Sequence, residues 1–325
     1  MRQIAAFSVG TFIGIAMLIT LVHFQEGIPT SSSKWAHDLY RVKESHAAKS
    51  HSQKLLIVAG SNSLFGLDAA QIERKYQLPT TNFGVHAGLG LRYILDRSKR
   101  SLRPGDIVYL PLEYALYQQE PAPSTQLMDF ILARDPAYLH SLPLLEQFLG
   151  YTNVSFERII EGLRGGNDNY MGSSSSTYNV ANVDSSGNQL NNSSERAADY
   201  KDKLDKLQAK DIGNGDISGY SKKVLGEFFI WAKENDVCVI GAPPNLLKFD
   251  EYDADRFVNF VTKIRNFYLE NDTSFIGNPT DYLLPKKMFF DTEYHLNEIG
   301  VATRTRLTLN DLGDQLTAHC VNQPR

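Results

Sequence analysis

Apolar residues are distributed along this chain as one long block followed by a series of short ones. Ile4 to Phe24 is apolar and almost free of charge, with Arg2 before it and Glu26 after it. A block of that length is enough to cross a bilayer as a helix. Arg2 on its N-terminal side places Met1 in the cytoplasm and the rest of the chain outside. Leu21-Val22-His23-Phe24 is bulky and offers no small-residue cleavage site, which favours an uncleaved anchor over a removed signal peptide. The expectation is a single-pass protein of the inner or plasma membrane with its bulk on the extracytoplasmic face.

The remainder is rhythmic. Residues 25 to 33 read as a linker, and Trp35, Leu39 and Val42 at helical spacing predict a helix over 34–50. Short apolar runs predict strands over 54–59, near Thr80 to Phe83, over Ile107 to Leu110, over Val237 to Ile240 and over Ser274 to Ile276. Helical stretches fall between them: Asp68 to Tyr76, Leu91 to Arg100, two or three over 124–163, Tyr220 to Asn235 and Asp253 to Leu269. A last helix is N-capped by Asn297 and runs to about Leu316. Alternating strands and helices predict an α/β fold, a doubly wound, flavodoxin-like parallel sheet of about five strands. The domain plan is an anchor over 1–24, a linker and leading helix over 25–52, and one domain over 53–325.

One segment breaks the rhythm. Gly165 to Gly219 is rich in Gly, Ser, Asn and Asp and poor in large apolar residues. Loops of that length are either functional or mobile. A polar hairpin around Tyr178 to Asn188 and a charged helix over Ala197 to Lys210 are expected within it. A flexible surface insertion is favoured slightly over a lid on the substrate.

Charge and cysteine content narrow the function. The formal net charge of −4, with no basic block, removes the electrostatic basis for a nucleic-acid partner. Cys238 and Cys320 have no metal-ligand spacing, and no P-loop is present, so the residues point to no metal and no cofactor. Cys238, inside an apolar strand, reads as a small core residue; whether the two cysteines pair is open.

The chemistry gathers at strand ends. Leu55-Leu56-Ile57-Val58-Ala59 delivers Gly60-Ser61-Asn62-Ser63 to the C-terminal edge of the sheet, where open α/β sheets bind ligands. Ser61 directly follows the strand, and Ser63 is the competing nucleophile. Gly84, Gly88 and Gly90 after the second strand permit close backbone approach. His295 precedes the last helix, with Asp291 four residues and Glu293 two residues upstream. A carboxylate on one imidazole nitrogen holds the other as a base toward serine.

In this order the motifs resemble those of the SGNH (GDSL-like) hydrolase superfamily. Leu55 to Ser61 resembles its first block, Asn82-Phe83-Gly84-Val85-His86-Ala87-Gly88 its second, and Asp291 to His295 with the following helix its last. The resemblance implies a catalytic set of Ser61, Asp291 and His295. It implies an oxyanion hole from the amides of Ser61 and Gly88, with Ala87 as the alternative to Gly88. Three departures stand out. Gly60 replaces the usual aspartate, and Thr292 occupies the usual acid position. Glu113, after the third strand, stands where an asparagine normally donates to the oxyanion. Together with the anchor, these departures resemble the divergent, membrane-anchored branch that acts in polysaccharide O-acetylation and in D-alanylation of teichoic acids. That branch implies a polysaccharide or acyl-ester substrate, a membrane-bound O-acyltransferase partner and Ser-His-Asp acyl transfer. The lost asparagine alternatively fits a weakened fold acting as a structural or sugar-binding subunit of a polysaccharide export complex.

Overall fold

Each predicted strand forms, and the first in the chain lies between the second and the third. The computed structural model describes residues 2–170, 176–209, 212, 215–250, 252, 254–316 and 320, with no side-chain description for residues 2–9, 12, 254, 314 and 315. Five strands, β1 (Leu55–Ile57), β2 (Thr80–Asn82), β3 (Ile107–Leu110), β4 (Cys238–Gly241) and β6 (Ser274–Phe275), pair in the order β2-β1-β3-β4-β6. All these pairings are parallel; Leu55 faces Thr80 on one side and Ile107 on the other. A second, two-stranded sheet pairs β5 (Leu246–Leu247) with β7 (Leu283–Leu284). The protein is α/β, and the order is compatible with a flavodoxin-like sheet. β1, β2 and β3 are buried at every position, as strands of a covered parallel sheet are. The chain leaves β1 for β2 on one side and reaches β3 on the other. The C-terminal end of β1 therefore opens into the crevice where such sheets bind ligands.

In chain order the helices are α1 (Arg2–His23) and α2 (Ser31–Lys49) before β1, then α3 (Ser61–Leu64), α4 (Ala69–Tyr76), α5 (Leu91–Lys99), α6 (Thr125–Arg134), α7 (Pro136–Ser141), α8 (Leu144–Tyr151) and α9 (Phe156–Leu163). Further helices at Gly219–Glu234, Ala254–Glu270 and Glu298–Gln315 come later. Asp253, expected to open the second of these, lies outside the described residues. Caps explain several starts: Asp68 accepts from Gln71 N, Ser218 from Ser221 N, and Asn297 from Gly300 N.

The chain divides into two compact units, and the division is not linear. One unit comprises residues 1–37 and 121–176; the other comprises 38–120 and 177–325 and holds both sheets. Residues 121–176, expected within the sheet domain, thus belong with the N-terminal segment. They form four helices, α6 to α9, where two or three were expected. Among the described residues no helix is long and apolar enough to cross a membrane. The anchor expected over 4–24 falls partly outside them, because the side chains of its first residues are not described. Its backbone is the continuous helix α1.

In the sheet unit, Leu55, Ile57, Ile107, Tyr109 and Ile240 pack with Leu67, Ile72 and Leu312 in one buried cluster. Cys238 packs against this cluster, as expected of it, and the pairing left open is made: it is disulfide-bonded to Cys320. The polar insertion does differ from its expectation, because its described residues from Thr177 onward belong to this unit and are tied into it. Asp184 to Asn188 closes a tight turn, bridged by Val183 and Gln189. Asn82 N donates to Ser186 O, and Gln189 N to Leu64 O. The fully buried Lys43 on α2 donates to the carbonyls of Asn82, Gly84 and Gly187 at 2.7, 2.6 and 2.8 Å. Those three carbonyls use all three N–H groups of an ammonium. The expected charged helix is broken into Ser194–Ala197 and Lys201–Asp205, and Lys210 lies outside the described residues. Leu204 enters a second buried cluster with Leu247, Leu284, Phe289 and Leu296.

Candidate active site

Ser61 is the first residue of α3, reached through Val58, Ala59 and Gly60 from the C-terminal end of β1. His295 Nε2 lies 2.9 Å from Ser61 Oγ, and His295 Nδ1 lies 2.7 Å from Asp291 Oδ1. An ionised carboxylate only accepts, so Asp291 takes the Nδ1 proton and leaves the Nε2 lone pair to accept from the Ser61 hydroxyl. The imidazole stacks on Phe65, with centroids 4.2 Å apart and planes 9° from parallel. That stack fixes the ring plane while the two hydrogen bonds fix its rotation.

The extra residue between acid and base has a local cause. Thr292 Oγ1 accepts from Tyr294 N at 3.3 Å and from His295 N at 3.2 Å. Thr292 thus builds the turn that lets Asp291, four residues before the histidine, reach back to the ring. Glu293, the other acid considered, contributes its carbonyl to Leu247 N. Ser63 is not brought to the histidine: its hydroxyl is buried and, among the described residues, makes no hydrogen bond.

Asp291 has further partners that the sequence does not announce. Tyr178, in the polar insertion, donates to Asp291 Oδ2 at 2.8 Å, and Lys203 Nζ stands 3.7 Å from the same oxygen. Burial works to raise the Asp291 carboxyl. The bonds from His295 and Tyr178 and the charges of His295 and Lys203 outweigh it, and hold the group below its ordinary range. Burial, with Asp291 alongside, pushes the Tyr178 hydroxyl up, so it remains a donor. No spacing pattern links Tyr178 to Asp291; only the folded insertion does.

On the other side of Ser61 the arrangement departs from expectation. Glu113 Oε2 accepts from Gly60 N and Oε1 from Asn62 N, both at 3.0 Å. The carboxylate straddles the turn and spends its acceptors on the two amides flanking Ser61. Gly60 is required by this: a Cβ there would lie 2.5 Å from both Glu113 Oε1 and Ala87 N. The two departures are therefore one device, a carboxylate supplied from the β3 edge in place of a side chain at position 60. Behind the turn the fully buried Arg304 donates to Asn62 O, to Asn62 Oδ1 and to Asn245 Oδ1.

Gly88 does not supply the donor expected of it. Its N–H donates to His86 Nδ1 at 2.9 Å, capping the short 3-10 turn Ala87–Leu89. The Ser61 and Ala87 amides, by contrast, are spent on no acceptor among the described residues. The Ala87 nitrogen borders Gly60 across the loop. The oxyanion pair considered as the alternative, Ser61 with Ala87, is thus the one the backbone leaves free. Burial, and then the neighbouring His295, hold the His86 imidazole down, toward its neutral form.

Three titratable side chains in a hydrogen-bonded line, ending on a serine at a sheet edge, can deprotonate a hydroxyl and return the proton to a leaving group. Comparison with protein-family models, with curated proteins and with solved structures gives no match to this chain.

Proposed function

We propose that this protein is a membrane-anchored, extracytoplasmic, SGNH-like O-acyltransferase or acylesterase acting on a cell-surface or secreted polysaccharide. The observation that carries the proposal is the continuous Ser61–His295–Asp291 line, with bonds of 2.9 and 2.7 Å. Ser61 Oγ attacks an ester carbonyl while His295 Nε2 takes its proton. The tetrahedral oxyanion is met by the amides of Ser61 and Ala87. The imidazolium, stabilised by Asp291, then protonates the departing alcohol, leaving an acyl-serine. A sugar hydroxyl or water, deprotonated by His295, attacks the acyl-serine and releases Ser61.

The extracytoplasmic placement draws support from the apolar helix α1 and from the Cys238–Cys320 disulfide, a bond that persists in oxidising compartments. By its resemblance to the membrane-anchored branch, the proposal includes a membrane-bound O-acyltransferase as the source of acyl groups. Turnover of a chromogenic acetyl ester by the purified full chain, abolished in Ser61→Ala, is the expected result. Equal turnover by Ser61→Ala refutes it.

Two observations favour a second reading. Glu113 places an acceptor where a donor is expected, and Gly88 is engaged elsewhere. A fold that retains its triad yet binds rather than transforms sugar fits these losses. Under that reading the full chain binds an acetylated polysaccharide, neither wild type nor Ser61→Ala turns over the ester, and Ser61 resists serine-directed probes.

A further inference from the structure

In the unit that contains α1, the chain leaving that helix is gripped from three sides. His140 on α7 meets Glu26 Oε2 through Nε2 at 2.8 Å, and Tyr151 on α8 donates to Glu26 Oε1 at 3.3 Å. Arg158 on α9, itself buried, donates to Gln25 O and Ile28 O at 2.7 and 3.0 Å. Gln25 returns a bond to Ile159 O. These polar contacts hold α7, α8 and α9 at the level where the apolar helix ends.

The same helices turn large apolar side chains to the outside. Leu144, Leu145 and Phe148 on α8 are 82, 63 and 46 % exposed; Phe156 and Leu163 on α9 are 75 and 61 % exposed. On α8 the spacing is i, i+1, i+4, and on α9 it is i, i+7, so each set lies on one helix face. A water-facing surface rarely carries such a set without something to cover it. Phe24, at the exit of α1, is 76 % exposed, as are Ile13 and Met17 along that helix at 52 and 69 %. α1 bears one charged residue, Arg2, in its 22 positions.

From this continuity we infer that the exposed faces of α8 and α9 seat in the interfacial layer of the bilayer that α1 enters. The inference rests on the anchor reading of α1. A bilayer covers both surfaces at once: the acyl region takes α1, and the headgroup boundary takes the apolar faces pinned to its exit. The membrane attachment of the chain is then a helix with a collar, rather than a helix with a loose tether.

The test uses the full chain in phosphatidylcholine–phosphatidylglycerol vesicles whose acyl chains carry bromine near the headgroup or near the chain centre. Leu145→Trp, Phe156→Trp and Met17→Trp are compared with wild type, whose Trp35 and Trp231 set the baseline. The expected result is a blue shift and loss of the added fluorescence with shallow bromine at 145 and 156, and with deep bromine at 17. Quenching at 17 with none at 145 and 156 overturns the inference and leaves the anchor standing. No quenching at any of the three removes both. Quenching at 145 and 156 without 17 keeps the surface contact and removes the span. Amide exchange of the unmodified chain gives an answer that does not depend on the variants folding. Slower exchange over 144–148 and 156–163 with vesicles is expected, and unchanged exchange overturns the inference.

Discussion

On one side of Ser61 stand His295 and Asp291, joined by bonds of 2.9 and 2.7 Å and braced by Phe65, Tyr178 and Lys203. On the other stand Glu113 and the turn His86 to Gly88, where a carboxylate and a capped glycine occupy places expected to donate. The base side is assembled with redundancy. The other side is organised by the buried Glu113, which holds the turn and, among the described residues, leaves the Ser61 amide unengaged. The difference separates two tasks usually treated as one: activating the serine and stabilising the charge that develops opposite it. A chain can keep the first intact while the second is reduced to backbone donors, each worth a few kcal/mol where present.

The sharpest way to break this comparison is to remove the base side. Ser61→Ala or His295→Ala is expected to lower ester turnover by on the order of 10^4- to 10^6-fold, with circular dichroism unchanged. Next comes Asp291→Asn, expected to cost about 10^3- to 10^4-fold in kcat by releasing the wrong imidazole tautomer.

Asp291 also predicts a pH signature. Its folded carboxyl titrates below the ordinary value of 3.8, so its contribution to stability is present above the unfolded value and fades as pH falls through the folded one. The stability difference between wild type and Asp291→Asn, measured by urea unfolding, is expected to be level above about pH 5 and to shrink below about pH 4.

Changes on the other side should act mainly through stability. Glu113→Gln can accept only one of the two amides, and is expected to cost about 1–3 kcal/mol of unfolding free energy. Its loss of turnover should be smaller than that of Asp291→Asn. The smallest expected effect is Tyr178→Phe. Losing one bond to Asp291 is worth about 1 kcal/mol, or about fivefold in kcat/KM. An unchanged kcat/KM would mean that the insertion braces the fold and not the acid.

How much of this was legible in the sequence follows from the range of the interactions. β1 and β3 were readable because a covered parallel strand must be apolar throughout, and Ser61 was readable because it follows such a strand without a break. Asp291 and His295 share a loop, so their pairing is local, although only the structure gives Thr292 its role as the residue that closes the turn. Glu113 is legible only as a departure where an asparagine is expected, and its purpose depends on Gly60, 53 residues away. Tyr178 and Lys203 reach Asp291 from a segment whose polar composition resembles that of a free surface loop. What fixes that segment is the buried Lys43, scattered backbone and side-chain bonds and the burial of Leu204, none of which leaves a periodic trace. The two-unit division was equally hidden, because nothing in the composition of 121–176 ties it to the N-terminal segment.

The central claim is that His295 activates Ser61. It is tested most directly by mass spectrometry of the full chain after exposure to a serine-directed fluorophosphonate, in wild type and in His295→Ala. One adduct, on Ser61, is expected in wild type and none at matched time in His295→Ala. An adduct on another serine, or equal labelling of Ser61 with and without His295, would contradict it.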